Sequence, residues 1–299
     1  MSTLSAFSDQ LPDGSLREMN FYDSSFFKDP SKRLPTPSEV KALSEDAHTS
    51  PHPKPIIFKD SDLFVKFGPC VTTAEAQCLW MIKRVFGDDV PVPEVFGWRV
   101  DDEKNHVFIY MELIQGRTLL DRWNELTDLD QNSLRNDLIQ IIKALRRLEQ
   151  DPLQQYIGSI SHQKAQDYVF QSYPEAGPFS TVKEFHDWFS SLPQQRLPPS
   201  KKFKDPYRDS LPDDEDIKFT HADLHRSNIM VSSSKPARIL AIVDWEQAGW
   251  YPSYWEYCKA RYTCWSEDEW RWEWIDKFLC PRLPELEVFV EYILSIGSV

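Results

Sequence analysis

The sequence predicts an α+β fold in which antiparallel strands come first and helices dominate the rest of the chain. Residues 56–68 and 90–116 each predict a strand, a turn and a second strand, because runs of branched and aromatic residues flank polar turns. Residues 134–148 carry apolar side chains at helical spacing, which is typical of a helix with one buried face. A further strand pair is expected in 219–250, where two apolar runs each end in polar residues.

Composition limits the kinds of protein this can be. The chain has 299 residues, of which 41% are hydrophobic and 27% charged, values that are ordinary for a globular protein with a large core. Its net charge of −13 argues against general binding to nucleic acid or to anionic membranes, since both require basic surfaces.

Cysteine usage and the N-terminal sequence bear on the cellular compartment. The chain has five cysteines and no C-x-x-C pair, so neither a disulfide framework nor a zinc site is indicated. The first residues lack the basic start and apolar core of a secretory signal, and no apolar run is long enough to span a bilayer. We therefore expect a cytoplasmic protein.

The first 55 residues are polar and contain many prolines. A short helix is expected within 38–47, and the segment as a whole is interpreted as an N-terminal arm without identifiable chemistry. A few aromatic side chains predict that parts of the arm dock on the rest of the protein: Phe21, Tyr22, Phe26 and Phe27.

Two charged residues follow the arm in positions that need an explanation. Lys66 lies among apolar residues of the second strand in 56–68, so it is either an edge-strand lysine reaching solvent or a lysine that binds an anion. Residues 72–86 show helical periodicity, with Thr72 or Thr73 as the cap. Glu75 falls in the first turn, where a carboxylate is favourable to the helix dipole in any case.

The second half of the chain is predicted to be mainly helical. Thr181 and Glu184 form a plausible capping box for a helix ending near 189, and the proline-rich stretch 190–216 is expected to be a loop. The aromatic residues of 250–257 could form a cage for a quaternary amine, but their spacing more often indicates core packing.

Four polar residues stand out in 219–250. His221, Asp223 and Asn228 lie in HADLHRSN, directly after one apolar run, and Asp244 follows the next apolar run in IVDWE. A strand, a turn and a second strand would return Asp244 close to Asn228, which would gather two carboxylates and an amide oxygen suited to Mg²⁺. The alternative is that these residues simply form turns, which Asp and Asn favour.

The order H-x-D-x-x-x-x-N, an apolar strand and a further Asp resembles the kinase catalytic loop followed by its metal-binding aspartate. Trp245 and Glu246 replace the usual Phe-Gly, and Asp244 is followed by Gly249 in a D-x-x-x-x-G pattern. These features, over about residues 56–262, resemble the aminoglycoside phosphotransferase and choline kinase-like family. The sequences FTHADL and IVDWE are most similar to those of the fungal branch of that family.

The resemblance implies a two-lobed protein kinase-like fold, with a small antiparallel β-sheet N-lobe and a mainly α-helical C-lobe. The arm would occupy 1–55, the nucleotide-binding N-lobe 56–114, and the C-lobe with the catalytic loop and acceptor site 115–299.

The resemblance also implies an ATP- and Mg²⁺-dependent transfer of the γ-phosphoryl group to a hydroxyl of a small molecule. Asp223 would accept or orient the hydroxyl proton and His221 would brace the loop. Asn228 and Asp244 would hold Mg²⁺.

Four further residues are implied for the nucleotide. Lys66 would bind its phosphates and would be positioned by Glu75, while the backbone at Glu112 and Leu113 would meet the adenine edge. The same backbone could instead be a plain turn between a strand and a helix.

The sequence departs from the kinase pattern at the first turn, where KDSD in 59–62 contains no glycine. Backbone N–H groups around Ser61 are the candidate cover for the phosphates. Glu246 and the acidic segment 266–273 are a candidate contact for an amino-bearing acceptor.

The residues leave three alternatives to a small-molecule kinase. One is a non-catalytic nucleotide-binding or scaffold protein, and another is different ATP-dependent chemistry on the same fold. A protein kinase is disfavoured, because no A-P-E-like motif follows Asp244. ATP is not distinguished from GTP, and a monomer or weak dimer is expected.

Overall fold

The computed structural model describes residues 4–5, 11–264 and 268–297. Its strands, numbered in chain order, are β1 (Leu4–Ser5), β2 (Glu18–Asn20), β3 (Ile56–Phe58), β4 (Leu63–Gly68), β5 (Val95–Val100), β6 (Val107–Glu112), β7 (Arg117–Thr118), β8 (Leu148–Glu149), β9 (Gly158–Ser159), β10 (Ile217–Thr220), β11 (Ile229–Val231), β12 (Ile239–Ile242) and β13 (Gly249–Pro252). Its α-helices are α1 (Pro37–Ala42), α2 (Thr73–Phe86), α3 (Leu119–Arg122), α4 (Asp128–Leu145), α5 (Val182–Gln195), α6 (Trp255–Tyr262), α7 (Ile275–Phe278) and α8 (Leu283–Ile296).

The internal contacts divide the chain into two compact units. The first, here called the sheet unit, comprises Asp9–Asp130 and Ser227–Glu246. The second, here called the helical unit, comprises Met1–Ser8, Gln131–Arg226 and Gln247–Val299. None of the helices within the described residues is long and apolar enough to cross a membrane.

An antiparallel sheet in the order β2-β5-β6-β4-β3 forms the larger part of the sheet unit. The two strand pairs expected in 56–68 and 90–116 are confirmed as β3–β4 and β5–β6. Strand β6 is central, and its residues Phe108, Ile109 and Tyr110 are fully buried, as its apolar sequence indicates. The helix expected at 72–86 is confirmed as α2, which packs against β5 and β6.

Residues 9–55 of the N-terminal arm are part of the sheet unit. Its strand β2 pairs with β5 at one edge of the sheet, and its expected short helix is α1. Docking of the aromatic side chains is confirmed for Phe21 and Phe26, which are buried, and is wrong for Tyr22, which is 73% exposed. Phe27 is partly buried against the same core.

A smaller antiparallel sheet in the order β12-β11-β7 completes the sheet unit. Strands β11 and β12 form the strand pair expected between Asp223 and Asp244, with Ile229 opposite Ile242. At Gly116, which precedes β7, a Cβ atom would lie 2.9 Å from the carbonyl oxygen of Val231, so the glycine permits this close approach.

The helical unit is built around an aromatic core. The rings of Tyr251 and Trp255 stack at 5.3 Å with an interplanar angle of 8°, and both residues are fully buried. The core interpretation of the aromatic run is therefore confirmed over the cage interpretation. Helix α5 continues to Gln195 beyond its expected end near 189, with Pro193 inside its last turn.

Candidate active site

The sheet unit gathers one lysine and three carboxylates around a single point. Lys66 Nζ lies 2.9 Å from Glu75 Oε1, 2.6 Å from Asp244 Oδ1 and 3.0 Å from Glu246 Oε2. The structure thus brings Lys66 and Glu75 into contact, as the resemblance implies. The alternative of an edge-strand lysine is wrong, because β4 lies between β3 and β6 and the Lys66 side chain is only 22% exposed.

Local structure explains how Lys66 and Glu75 meet. Residues alternate across β4, so Val65 and Phe67 are buried in the core while Lys66 points to the other face. Glu75 lies in the first turn of α2, and its side chain is 1% exposed. A carboxylate this deeply buried requires a charged partner, and Lys66 supplies it.

The β11–β12 hairpin brings Asn228 and Asp244 to the same end of a sheet. Val243 N–H donates to the Asn228 carbonyl at 2.9 Å, which continues the register of the two strands by one residue. Asp244 has φ +64°, a left-handed conformation that costs a non-glycine residue roughly 1–2 kcal/mol. The next residue, Trp245, holds this bend by donating its ring N–H to the Ile242 carbonyl at 2.9 Å.

The group formed by Lys66, Glu75, Asp244 and Glu246 is short of positive charge. Burial alone would lower the pKa of Lys66, but Coulombic attraction to the three carboxylates outweighs burial and raises this pKa well above its usual value. Burial raises the pKa of Glu75 to about 7 against the attraction of Lys66, and repulsion from Asp244 and Glu246 acts in the same direction as burial. One lysine thus faces three carboxylates, which leaves the group with an excess of negative charge.

The same oxygens fit a divalent cation. One carboxylate oxygen from each of Glu75, Asp244 and Glu246 lies within 4.8 Å of the others. The second oxygen of Glu75 is buried and has no hydrogen-bond partner. Hard oxygen ligands with excess negative charge suit Mg²⁺. Asn228 and Asp244 were the ligands predicted from the sequence, and the structure places two further carboxylates next to Asp244.

The loop that carries His221 and Asp223 belongs to the helical unit. His221 and Ala222 donate their backbone N–H groups to the two carboxylate oxygens of Glu256, at 2.7 and 3.2 Å. Asp223 N–H donates to His221 Nδ1 at 3.1 Å, so a neutral His221 carries its proton on Nε2. Ala222 has φ +64°, and these three bonds hold the strained backbone from which the half-buried Asp223 projects.

Sequence reasoning missed two carboxylates around this loop. Glu256 is 2% exposed in the middle of an aromatic helix, and a charged residue in such a run is the signal that could have revealed it. Asp268 forms an ion pair with Arg226, the residue three positions after Asp223, and also accepts the N–H of Trp270 at 2.9 Å. Nothing in the local sequence links Asp268 to the loop.

The segment expected to meet adenine is anchored by its own backbone. Glu112 N–H donates to the Glu94 carbonyl at 2.8 Å, and Leu113 N–H donates to the Asp62 carbonyl at 2.9 Å. Gln115 Nε2 donates to Asp62 Oδ1 at 3.0 Å, which ties the same segment to the turn between β3 and β4. A base that meets Glu112 or Leu113 would therefore use their carbonyls, unless it displaces one of these bonds.

The glycine-free turn between β3 and β4 is a single turn of 3₁₀-helix, Lys59–Ser61. Asp62 ends the turn with φ +51°, a conformation that glycine often supplies in other turns. Phosphate binding by the backbone around Ser61 stays a prediction.

Glu246 contacts Lys66, and its side chain is 12% exposed. Its contact with an amino-bearing acceptor stays a prediction. The acidic segment 266–273, expected to act with Glu246, lies partly outside the described residues, because residues 265–267 are not among them.

Comparison with known proteins shows which fold these elements form. The structure of the GDP complex of wild-type aminoglycoside 2'-phosphotransferase-IIIa aligns with a TM-score of 0.51 at 14% identity, covering 91% of this chain and 85% of that chain. The streptomycin–ATP–APH(2'')-IIa ternary complex aligns with a TM-score of 0.51 at 11% identity, covering 89% and 87%. The predicted protein kinase-like α+β fold is confirmed.

A family model matches more than half of the sequence. The model of the phosphotransferase enzyme family matches residues 60–279, and the chain belongs to this family. The resemblance to aminoglycoside phosphotransferases that the motifs indicate is thereby confirmed. No protein with a curated description matches the chain at a significant level.

Proposed function

We propose that the protein transfers the γ-phosphoryl group of ATP to a hydroxyl group of a small molecule and that it requires Mg²⁺. The observation that carries the proposal is the contact of Lys66 with Glu75, Asp244 and Glu246 in a member of a phosphotransferase family. Solved relatives whose structures contain GDP, or ATP together with streptomycin, support a nucleotide donor and a small-molecule acceptor.

Asp223 accepts the proton of the attacking hydroxyl. The hydroxyl oxygen forms a bond to the γ-phosphorus, the bond from phosphorus to the bridging oxygen breaks, and ADP leaves. His221 accepts the backbone N–H of Asp223 and so orients that residue. Glu256 in turn holds the backbone of His221 and Ala222. The contribution of these residues is positioning, which is the larger part of catalysis in phosphoryl transfer.

Lys66 binds the phosphates, and Glu75 positions Lys66. Asn228, Asp244 and Glu246 are the residues that would hold Mg²⁺, which when bound neutralises charge on the phosphate oxygens. Glu112 and Leu113 are the candidate contacts of the base.

The geometry of Lys66 predicts that nucleotide binding depends on Mg²⁺. A lysine ammonium has three N–H donors, and the three carboxylates engage all of them. Turning a donor towards a phosphate leaves a carboxylate without its cation, at a cost that grows with burial. A divalent cation held by Asp244 and Glu246 would remove that cost, so we expect ATP alone to bind poorly.

Thermal stabilisation by nucleotide tests the proposal. ATP with Mg²⁺ should raise the melting temperature of the wild type, because a ligand at about 100 times its Kd stabilises the folded state by about 2.7 kcal/mol. ATP with EDTA should not. Asp244→Ala should lose the shift, whereas Asp88→Ala, which alters a fully exposed carboxylate of the same unit, should keep it. GTP is measured in parallel, since one relative was solved with GDP.

Asp223→Asn separates binding from catalysis. It should keep the Mg²⁺-dependent shift and lose phosphorylation of any acceptor found by screening hydroxyl compounds with γ-labelled ATP, by a factor of at least about 10². No shift of the wild type at millimolar ATP would instead favour the scaffold alternative.

A further inference from the structure

Helix α2 carries Glu75 and is held from outside by the N-terminal arm. Four of its residues make contact with the arm, and their spacing of four, three and four places them along one face of the helix. These residues are Thr73, Gln77, Trp80 and Arg84. The part of the arm that they meet is Pro12 to Asp23, here called the strap.

Polar contacts hold the first half of the helix to the strap. Gln77 Nε2 donates to the Pro12 carbonyl at 2.7 Å, and Thr73 Oγ1 donates to the Gly14 carbonyl at 3.1 Å. A Cβ atom at Gly14 would lie only 2.9 Å from Gln77 Nε2, so strap and helix approach as closely as a glycine allows. Gln77 is 5% exposed, which makes its bond to the strap a buried one.

The strap is itself anchored to the sheet. Strand β2 lies within it and pairs with β5, and Trp98 on β5 donates its ring N–H to the Leu16 carbonyl at 2.8 Å. Phe21 lies between Trp98 and Trp80, with ring centroids 5.7 and 6.2 Å away. The strap therefore connects α2 to the β2 edge of the sheet, and β4 with Lys66 belongs to the same sheet.

The packing of α2 on β5 and β6 is not supplemented by a capping hydrogen bond at its start. Thr72 is the N-cap residue, but its side chain makes no capping hydrogen bond, and its buried hydroxyl has no hydrogen-bond partner. A cap of this kind normally stabilises a helix start by about 1 kcal/mol. Glu75 lies between Thr73 and Gln77, so the two bonds to the strap flank the residue that contacts Lys66.

We propose that the strap positions helix α2 so that Glu75 holds Lys66 ready for nucleotide phosphates, with Gln77 as the main positioning residue. The expected effect of the strap on nucleotide binding rests on the proposed function. The effect of the strap on the position of Glu75 does not rest on it, because the contact between Glu75 and Lys66 exists in the nucleotide-free protein.

Two measurements test the positioning without nucleotide. In Gln77→Ala, the α2 amides should exchange hydrogen faster, and mass spectrometry should show faster labelling of Lys66 by an amine reagent. Gly14→Ala should give the same result from the strap side, because the added methyl group would lie 2.9 Å from Gln77 Nε2. The φ of Gly14 does not require glycine, so the substitution adds no backbone strain. In the double variant the added methyl meets a shortened side chain, so the two effects should be smaller than additive. Unchanged α2 exchange and unchanged Lys66 labelling would overturn the proposal.

The Kd for ATP with Mg²⁺ tests the consequence. Gln77→Ala should raise it about fivefold to tenfold, the typical effect of one lost hydrogen bond. In a Glu75→Gln background the same change should have no further effect, because its influence passes through Glu75. An equal increase in both backgrounds would contradict the proposal.

Gln150→Ala is the matched control. Gln150 also donates its buried amide to a backbone carbonyl, that of Tyr156, but it lies in the helical unit. It should lower stability and leave the Kd unchanged. If the wild type binds no nucleotide, the proposed function fails, and the exchange and labelling measurements still decide the role of the strap.

Discussion

Glu256 shows how one buried carboxylate can shape a loop to which it does not belong. Its two oxygens accept the N–H groups of His221 and Ala222, whose left-handed φ would otherwise be unfavourable. The backbone of Asp223 therefore depends on a residue 33 positions further along the chain.

The first prediction follows from these two bonds. Glu256→Gln keeps the size of the side chain but replaces one acceptor oxygen with an NH₂ group that faces a backbone donor. We expect the free energy of unfolding in urea to fall by about 1–3 kcal/mol, the cost of leaving a buried group unsatisfied. Glu287→Gln, which makes the same change at an exposed position on α8, should have little effect. Equal stability of the two variants would show that these bonds do not hold the loop.

Residues of the candidate site were predictable where the chemistry is local in sequence. His221, Asp223 and Asn228 lie within eight residues, and Asp244 follows a recognisable strand. Glu246 and Glu256 were not assigned their contacts, because each meets its partner through a long-range contact that depends on the packing of other elements. Spacing indicates which residues share a loop, but it does not indicate which distant side chain satisfies that loop.

At the scale of elements, a buried ion pair joins α6 to the segment between β9 and α5. Asp167 Oδ1 lies 2.6 Å from Lys259 Nζ, and both side chains are almost fully buried. Asp167 also accepts the ring N–H of Trp255 at 2.8 Å, and Lys259 also donates to Gln247 Oε1 at 3.0 Å. Gln247 follows Glu246 directly, so this pair anchors the chain where it leaves the sheet unit.

The second prediction concerns this pair. Asp167→Ala should lower the free energy of unfolding by about 3–5 kcal/mol, because it leaves the Lys259 charge buried without its partner. Adding Lys259→Met should recover part of the loss, since the buried charge is then gone as well. Urea unfolding of the wild type, the two single variants and the double variant measures the coupling. Strictly additive losses would mean that the two side chains are stabilised independently.

Element prediction succeeded where periodicity was strong and failed at ends and edges. The buried stripe of α4 and the alternation in β4 and β6 were readable, because burial selects apolar residues at regular intervals. Pairing of β2 with β5 was not, since only three residues of a polar arm take part. Helix α5 passes its expected end because Leu192 still packs in the core, which the proline-rich composition of 190–216 does not reveal.

For the whole molecule, one buried histidine predicts how stability depends on pH. His186 is fully buried, with Nε2 3.0 Å from the Tyr254 hydroxyl and Nδ1 3.4 Å from Asp213. Burial lowers the pKa of His186 from 6.5 to about 4, and Arg208 acts in the same direction. Hydrogen bonding and attraction to Asp213, with attraction to Asp187, oppose the shift without reversing it.

The third prediction follows from the sign of that shift. Below pH 6.5 the unfolded chain binds a proton at His186 that the folded chain excludes until about pH 4. As the pH is lowered through this window, the free energy of unfolding should therefore decrease, and His186 accounts for at most about 1.4 kcal/mol of this decrease per pH unit. His186→Gln loses packing and hydrogen bonds at every pH, but it also removes this proton-linked loss. Its destabilisation relative to the wild type should shrink by about 2 kcal/mol between pH 7 and pH 5.

His48→Gln, at an exposed position, controls for the general effect of acid on the carboxylates. A difference between His186→Gln and the wild type that stays constant with pH would mean that His186 is protonated as readily in the folded protein as in the unfolded chain.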